Sequence, residues 1–226
     1  MPLPTRIGRL HPPVLCLIVS RAAAKDGDVE KLVTEAVAGG VAMVQLRERD
    51  LPAAEVVALA RRLKPITRGK ALLIINDRVD VAIAVEADGV QLPEDGLPIQ
   101  AARSLIGKHA VLGRSVHSLE AAQQAAAEGA EFVIAGTIFK SPTHPDATPV
   151  GAALISEITS GNSQPVLAVG GVTAAKAGEL IKAGAAGVAV ISAVAGAADP
   201  KAAAMELKQA LQEAWAEHVS AVAAVT

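Results

Sequence analysis

The chain has 226 residues, of which 51% are apolar and only 1% aromatic, and its formal net charge is −2. This composition excludes a typical nucleic-acid surface, which needs basic patches and aromatic rings on which bases stack. No apolar run approaches the roughly 20 residues that span a bilayer. The single cysteine, Cys16, excludes an intramolecular disulfide. The lack of disulfides is typical of a cytoplasmic protein.

Short β-branched runs alternate along the chain with alanine-rich helical stretches. The pattern predicts strands near residues 14–19, 42–46, 71–75, 88–92, 110–115, 131–136, 165–169 and 187–191. It predicts helices near residues 29–38, 52–64, 78–86, 98–107, 118–128, 150–160, 174–183 and 200–218. Asp50, Ser118 and Thr173 precede three of these helices and offer side-chain oxygens to the first helical N–H groups.

This regular alternation predicts an α/β fold, a single (β/α)8 TIM barrel over residues 14–226, with an irregular lead-in over 1–13. An open doubly wound sheet is the alternative, but the regularity of the strands favours closure. In a barrel the functional site lies at the C-terminal ends of the strands. The residues that follow the predicted strands are mostly polar or glycine: 45–50, 76–78, 93–95, Ser115, His117, 140–146, Gly170, Gly171 and Ser192.

Two kinds of anion-binding group occur among them. Gly170 and Gly171 end the seventh strand and Ile191 and Ser192 the eighth, where barrels often hold a phosphate through backbone N–H groups. A glycine turn that merely suits a short loop is the alternative.

Arg47 and Arg49 are two residues apart, so both guanidinium groups can face one side and bind a diphosphate. A solvated charge run, paired within "RERD", is the alternative for them.

Carboxylates and amides follow neighbouring strands. Asp77 and Asp95 could hold Mg²⁺ together with substrate oxygens, whereas a helix N-cap or a surface charge is the alternative for each. The amides of Gln45 and Asn76 can read the donors and acceptors of a heterocycle, or simply satisfy hydrogen bonds at the rim.

The segments after the fifth and sixth strands carry hydroxyl and imidazole groups. Ser115 and His117 are two residues apart, but the sequence places no acid beside them, so a Ser/His nucleophile is weakly supported. The segment "KSPTHPDATP", residues 140–149, is typical of a lid over the site, and a plain connecting loop is its alternative.

Taken together, five segments in order resemble one family, the thiamine phosphate synthases and the related thiazole tautomerases. They are "VQLRERD", "LIINDRVDVAIAVEADGVQL", "GRSVHSLEAA", "FVIAGTIFKSPTHPDATPVG" and "AVGGVTAAKAGELIKAGAAGVAVIS". The resemblance implies a barrel that joins hydroxymethylpyrimidine diphosphate to thiazole phosphate with Mg²⁺, releasing thiamine phosphate and pyrophosphate. It implies that positive charge develops on the pyrimidine methylene as pyrophosphate leaves, and that the thiazole nitrogen attacks this carbon.

The same resemblance implies roles for individual residues. Arg47, Ser115 and His144 are implied to be catalytic and Asp77 to bind the metal, and Asp95 is the candidate for a second metal ligand. Gly171, Ile191 and Ser192 are implied to bind the thiazole phosphate. The implied ligands of the pyrimidine diphosphate are Gln45, Arg47, Arg49, Asn76, Ser115, Ser141, Thr143 and His144.

The chain departs from the family pattern at informative positions. The usual "GQED" reads Pro93-Glu94-Asp95-Gly96, so a metal-binding aspartate position falls on Gly96, and Asp95 is one residue early. His144 and Arg49 each replace a lysine. Thr137 replaces the histidine that is characteristic of the tautomerases, so His117 or His144 would have to act as base there.

Three hypotheses follow. The first is a thiamine phosphate synthase; the second is an isomerase acting on thiazole carboxylate phosphate; the third is a non-catalytic protein that binds thiazole phosphate. Partners are expected to be small phosphorylated heterocycles, not nucleic acid or membrane. A homo-oligomer is a further expectation, since the final helix, residues 201–219, could pack on a neighbouring copy.

Overall fold

A computed structural model describes residues 11–141 and 148–223, and it forms a closed barrel of parallel strands surrounded by helices. The strands are β1 (Val14–Val19), β2 (Met43–Leu46), β3 (Leu72–Asn76), β4 (Gly89–Leu92), β5 (Val111–Val116), β6 (Phe132–Ala135), β7 (Val166–Val169) and β8 (Gly187–Val190). Each strand pairs with the next in the chain, and β8 pairs with β1. The predicted single (β/α)8 barrel is therefore confirmed. Residues 1–10 of the predicted lead-in lie outside the described residues.

The helices are α1 (Val29–Ala38), α2 (Ala53–Thr67), α3 (Val79–Val85), α4 (Ile99–Ile106), α5 (Leu119–Glu128), α6 (Ala153–Gly161), α7 (Ala174–Lys182), α8 (Ser192–Ala195) and α9 (Pro200–Ala223). A 3₁₀ turn over Lys25–Gly27 precedes α1. All but α8 correspond to predicted helices. Helix α8 was not predicted, because four residues are too few to show a helical period.

Only one of the three predicted capping side chains makes a capping hydrogen bond in the structure. Ser118 caps α5 by accepting a hydrogen bond from the backbone N–H of Ala121 at 3.1 Å. Thr173 is the N-cap residue of α7, but its side chain makes no capping bond. The prediction for Asp50 was wrong: α2 begins at Ala53 after Pro52, whose extended backbone leads into the helix without a side-chain cap.

The barrel interior is filled in layers because strand side chains alternate between its two faces. Its lower layers form an apolar cluster that includes Cys16, Met43, Ile74 and Phe132. Burial raises the pKa of the Cys16 thiol to about 12, so this thiol stays protonated and is not a nucleophile. The uppermost layer is polar instead, and it forms the floor of the site described below.

A second, larger apolar cluster lies between the barrel and the surrounding helices. The last helix, α9, contributes Ala204, Leu207, Leu211 and Ala214 to it, so its apolar face is occupied within the chain. Packing of α9 on a neighbouring copy therefore stays a prediction. None of the helices in the described part of the chain is long and apolar enough to cross a membrane.

Candidate active site

A cleft of about 930 Å³ opens at the C-terminal end of the barrel. Every predicted site residue within the described ranges lines it, although these residues come from seven different strands or the loops after them. They are Gln45, Arg47, Arg49, Asn76, Asp77, Asp95, Ser115, Ser141, Gly171, Ile191 and Ser192. Thr143 and His144 lie outside the described residues. The cleft has the size of a typical small-molecule site.

The floor of the cleft is a polar layer of amides and a hydroxyl. The side-chain Nε2 of Gln45 donates to Oδ1 of Asn76 at 2.9 Å, and Nε2 of Gln91 donates to the Ser115 hydroxyl at 3.1 Å. The Oε1 atoms of Gln45 and Gln91 are buried without a hydrogen-bond partner. Buried polar atoms without partners are costly, and the Gln91 oxygen lies inside the barrel against Gly113.

The Ser/His nucleophile finds no support in this geometry. The hydroxyl of Ser115 is bonded to Gln91, whereas Nδ1 of His117 contacts the carboxylate of Glu94. His117 and Glu94 also line the cleft, and both side chains are substantially exposed. Ser115 is thus arranged as a hydrogen-bonding group, not as a nucleophile paired with a base.

Arg47 and Arg49 follow β2 and have no carboxylate partner in residues 11–141 or 148–223. The glutamate between them, Glu48, is held by Arg21, whose backbone N–H donates to the carboxylate at 2.6 Å. Burial, and next the charge of Arg49, lower the pKa of Arg47. Two neighbouring cations of this kind repel each other, and an anion bound between them would relieve that repulsion. Pairing within "RERD" is therefore not observed, because the carboxylate of Glu48 is bonded to Arg21.

Asp77 follows β3 with a left-handed backbone, at φ 64°. Such a conformation is uncommon for residues other than glycine and is concentrated at functional sites. The N-cap residue of α3 is Arg78, without a side-chain cap, so Asp77 does not cap that helix. Arg78 itself is paired with Asp80 at 2.5 Å. Within the described residues, the Asp77 carboxylate has no hydrogen-bond or ion-pair partner.

The turn after β4 places Asp95 and Gly96 on different sides. Asp95 lines the cleft, whereas Gly96 lines a small cavity of about 190 Å³ behind the turn. The backbone N–H of Gly96 closes the turn on the carbonyl of Pro93 at 3.0 Å. A Cβ at residue 96 would lie 2.8 Å from Pro93 Cδ and 3.1 Å from its carbonyl oxygen. This turn therefore excludes a side chain at 96 and presents the preceding carboxylate to the cleft.

The donor set suits Mg²⁺ bound partly by a substrate. The described residues contain no cluster of three or more His, Cys, Asp or Glu side chains that could hold a metal by themselves. Mg²⁺, however, usually takes one or two carboxylates and completes its shell with water and substrate phosphates. Asp77 and Asp95, both lining the cleft and neither capping a helix, fit that requirement.

A second anion-binding region lies at the ends of β7 and β8. Gly170 and Gly171 have φ values of 104° and 60°, so this strand end takes a course that favours glycine. A Cβ on Gly171 would meet the Lys140 carbonyl and lie 2.9 Å from Phe139 Cβ. Ile191 is the N-cap residue of α8 without a side-chain cap, so the first N–H groups of that helix lack intrahelical partners. These backbone donors line the same cleft as the arginines.

Both ends of the predicted lid are fastened to the barrel. Phe139 N–H donates to the Gly170 carbonyl at 3.0 Å, while Val150 and Gly151 N–H donate to the carbonyls of Thr137 and Ile138 at 3.1 and 2.9 Å. Residues 142–147 of the loop lie outside the described residues. The loop therefore starts and ends at the rim of the cleft, next to the glycines of β7.

Two residues that support this site from neighbouring positions were not predicted from the sequence. Gln91 occupies the same tripeptide, "VQL", in β4 that Gln45 occupies in β2, and that repetition was a usable signal. Arg114 is a buried cation within the strand "VLGRSV" of β5. Its side chain lies outside the barrel, so only the tertiary structure shows what it contacts.

Comparisons with known proteins show which family the chain belongs to. Residues 15–194 match the family model described as "Thiamine monophosphate synthase". The chain is 45% identical over 204 residues to the thiamine-phosphate synthase of Roseiflexus castenholzii, covering 89% of this chain and 88% of that one. It is 41% identical over 194 residues to the thiamine-phosphate synthase of Chloroflexus aurantiacus, covering 84% and 89%.

The solved structures include a thiamine phosphate pyrophosphorylase from Pyrococcus furiosus with the same architecture. It superposes with a TM-score of 0.83 at 37% identity, covering 91% of this chain and 98% of that one. The resemblance inferred from the five sequence segments is thus confirmed. This chain belongs to the thiamine monophosphate synthase family.

Proposed function

We propose that this chain is a thiamine phosphate synthase, which joins hydroxymethylpyrimidine diphosphate to thiazole phosphate and releases pyrophosphate. One observation carries the proposal beside the family membership. A single cleft combines two arginines after β2, which have no carboxylate partner among the described residues, with a backbone anion site after β7 and β8. Two such regions in one cleft suit two separate phosphorylated substrates.

The residues divide between the two substrates. Gln45 and Asn76, whose side chains both line the cleft, bind the pyrimidine ring. The diphosphate is bound by Arg47, Arg49, Ser115 and Ser141, together with Thr143 and His144 from the loop. The thiazole phosphate is bound by backbone N–H groups at Gly171, Ile191 and Ser192.

The chemistry requires stabilisation of a leaving group more than proton transfer. As the bond between the methylene carbon and the diphosphate oxygen breaks, negative charge grows on the diphosphate and positive charge on the methylene. Fixed cations and hydroxyl donors aimed at the diphosphate stabilise that charge without reorganising. Arg47 and Arg49 supply the cations, and Ser115, with its hydroxyl oxygen accepting from Gln91, is left to donate its proton to the diphosphate. The thiazole nitrogen then forms the new C–N bond.

Magnesium is part of the proposal. Asp77 and Asp95 would hold the ion, which when bound neutralises diphosphate charge as a Lewis acid. Asp95 takes the place of the aspartate that the family pattern puts at residue 96, because the turn closed by Pro93 and Gly96 presents residue 95 to the cleft. The shift by one residue is therefore consistent with a retained metal site.

A substitution at Gly96 tests whether Asp95 has replaced the metal-binding aspartate that the family pattern puts at residue 96. We expect Gly96→Asp to lower synthase activity about tenfold, which corresponds to an increase of ~1.4 kcal/mol in the activation barrier. The new carboxylate should not act as a metal ligand. The new Cβ would press on Pro93, and the carboxylate would enter the small cavity beside Glu128. Steady-state rates at saturating Mg²⁺ measure the effect. Gly96→Ala is the matched control, because it adds the Cβ without the charge; a more active Gly96→Asp variant would contradict the assignment of Asp95.

The decisive assay supplies both substrates with and without Mg²⁺ and measures pyrophosphate and thiamine phosphate. Mg²⁺-dependent formation of both products is expected. Proton exchange on thiazole carboxylate phosphate without C–N bond formation would instead identify a tautomerase, in which Thr137 stands where those enzymes have histidine. Tight binding of thiazole phosphate without turnover would identify a non-catalytic binding protein.

The proposal extends to the cellular setting. The buried, reduced Cys16 suits the cytoplasm, where small phosphorylated heterocycles are the expected partners. Self-association through α9 would use Met205 and Val219, the large apolar side chains that this helix leaves exposed.

A further inference from the structure

The turn after β4 is attached to the neighbouring strand by one buried cation, Arg114 of β5. Its guanidinium donates to the carbonyls of Pro93, Leu97 (at 2.9 Å) and Glu94 (at 3.5 Å). The residue is only 6% exposed. One side chain thus holds both ends of the turn that carries Asp95.

Arg114 reaches this turn because of its position in the strand. Its neighbours Gly113 and Ser115 face the barrel interior, so Arg114 lies on the outer side, between the barrel and α5. The surrounding layer is apolar and includes Leu112 and Val116. A charged group persists in such a layer only when it is paired and hydrogen-bonded.

The pairing of Arg114 is directed mainly at backbone carbonyls. Glu128 at the end of α5 lies 3.8 Å away and supplies the ion pair. Burial lowers the pKa of Arg114, and the charges of Glu128, Glu94, Asp77 and Asp95 oppose that shift. The planar fork of a guanidinium fixes the directions of its N–H bonds, so carbonyls that accept from it are held at a defined spacing.

The turn presents its residues to two different cavities. With the carbonyls of Pro93 and Leu97 held on one side, Gly96 lies over the small cavity that Arg114 and Glu128 line. Asp95 is then on the opposite side, in the cleft. A turn released from Arg114 would keep the contact between His117 and the Glu94 side chain, but this exposed pair does not bind the backbone of the turn.

We infer that Arg114 is a positioning residue for the metal site: it holds the turn over residues 93–97 in the conformation that presents Asp95 to the cleft. The inference rests on the proposed function in that Asp95 is taken to contact Mg²⁺. Arg114 itself does not line the cleft, so it acts through the turn and not on the substrates.

The test replaces Arg114 with methionine, which keeps much of the side-chain volume and removes every donor. We expect the Mg²⁺ concentration for half-maximal synthase activity to rise about tenfold or more, as is usual when a residue supporting a metal ligand is lost. The KM for thiazole phosphate should change little, because Gly171 follows β7 and Ser192 begins α8, away from the turn. Backbone amides of residues 94–97 should exchange with solvent about tenfold faster or more. Arg114→Lys, which keeps the charge without the fork, should give intermediate values.

Arg103→Met is the matched control. Arg103 of α4 also donates to backbone carbonyls, those of Gly107 and Ala110, and it pairs with Glu131 at 2.6 Å. It does not line the cleft or contact turn 93–97. This variant should lose stability without changing the Mg²⁺ requirement or the exchange of residues 94–97.

Two results would overturn the inference: unchanged exchange at residues 94–97 in folded Arg114→Met, or a wild-type Mg²⁺ requirement in that variant despite faster exchange. Failure of the proposed function is recognised separately. It would show as wild-type protein that forms no thiamine phosphate, and the exchange measurement alone would then decide whether Arg114 holds the turn.

Discussion

Replacing Asp77 with asparagine is expected to lower the rate of thiamine phosphate formation on the order of a hundredfold, the usual scale for losing one electrostatic contact to a leaving group. Asparagine is the informative choice because it keeps the size of the side chain and tolerates the left-handed backbone at φ 64°. Only the negative charge is lost. Titration of activity with Mg²⁺ should show a curve displaced to much higher concentration.

A matched control exists elsewhere in the chain. Asp26 also has a left-handed backbone, at φ 54°, but it lies in the 3₁₀ turn before α1 and does not line the cleft. Asp26→Asn should therefore leave both the rate and the Mg²⁺ titration near wild-type values. If Asp77→Asn gave the same Mg²⁺ titration as the wild type, Asp77 would not be a metal ligand.

Gly171→Ala is expected to weaken binding of the thiazole phosphate, raising its KM by about tenfold or more. The left-handed backbone at φ 60° costs roughly 1–3 kcal/mol for a residue other than glycine. In addition, the new Cβ would collide with the Lys140 carbonyl and with Phe139, so the strand end must move. Separate titrations of the two substrates measure the effect, and the KM for the pyrimidine diphosphate should change less.

Gly129→Ala separates backbone strain from the collision. Gly129 follows α5 with φ 95°, and a Cβ there would meet no atom within 4 Å. This variant should lose stability through its backbone alone and keep both KM values. Equal effects of the two substitutions on the thiazole phosphate KM would argue against a phosphate site at Gly171.

The departure from the family pattern at residues 95 and 96 is interpreted differently once the structure is known. In the sequence, Gly96 stands at a metal-binding position and suggests a lost ligand. In the structure, the same glycine is required by the turn that Pro93 closes, and the carboxylate one residue earlier lines the cleft. Asp95 and Gly96 are thus parts of one local rearrangement. His144, which replaces the other lysine of the pattern, lies outside the described residues.

The site could be anticipated from sequence to the extent that it depends on strand ends. Arg47, Asp77, Ser115 and Gly171 each follow or end a recognisable apolar run, and parallel strands bring such positions to one end of a barrel. Nothing more than periodicity and chain order was needed to group them.

Asp50 was misassigned as a helix cap because the start of a helix depends on backbone angles that a single side chain does not determine.

Partners between strands could not be derived in this way. The bond between Gln91 and Ser115 joins β4 and β5, and its formation depends on the register that pairs Gln91 with Gly113. The absence of a side chain on Gly113 then leaves room for Gln91 inside the barrel. The pairing of Glu48 with Arg21, which leaves Arg47 and Arg49 to bind an anion, is likewise a contact between distant parts of the chain.

The amino-acid sequence by itself determined the alternation of strands and helices, the barrel, and the set of residues at its C-terminal end, because these follow from periodicity along the chain. Only the tertiary structure decided that Arg114 holds the turn of Asp95, and that Asp95 instead of residue 96 faces the cleft. The reason is physical. Hydrogen bonds between residues far apart in the chain depend on strand register and barrel closure, which bring the groups together only after the chain has folded.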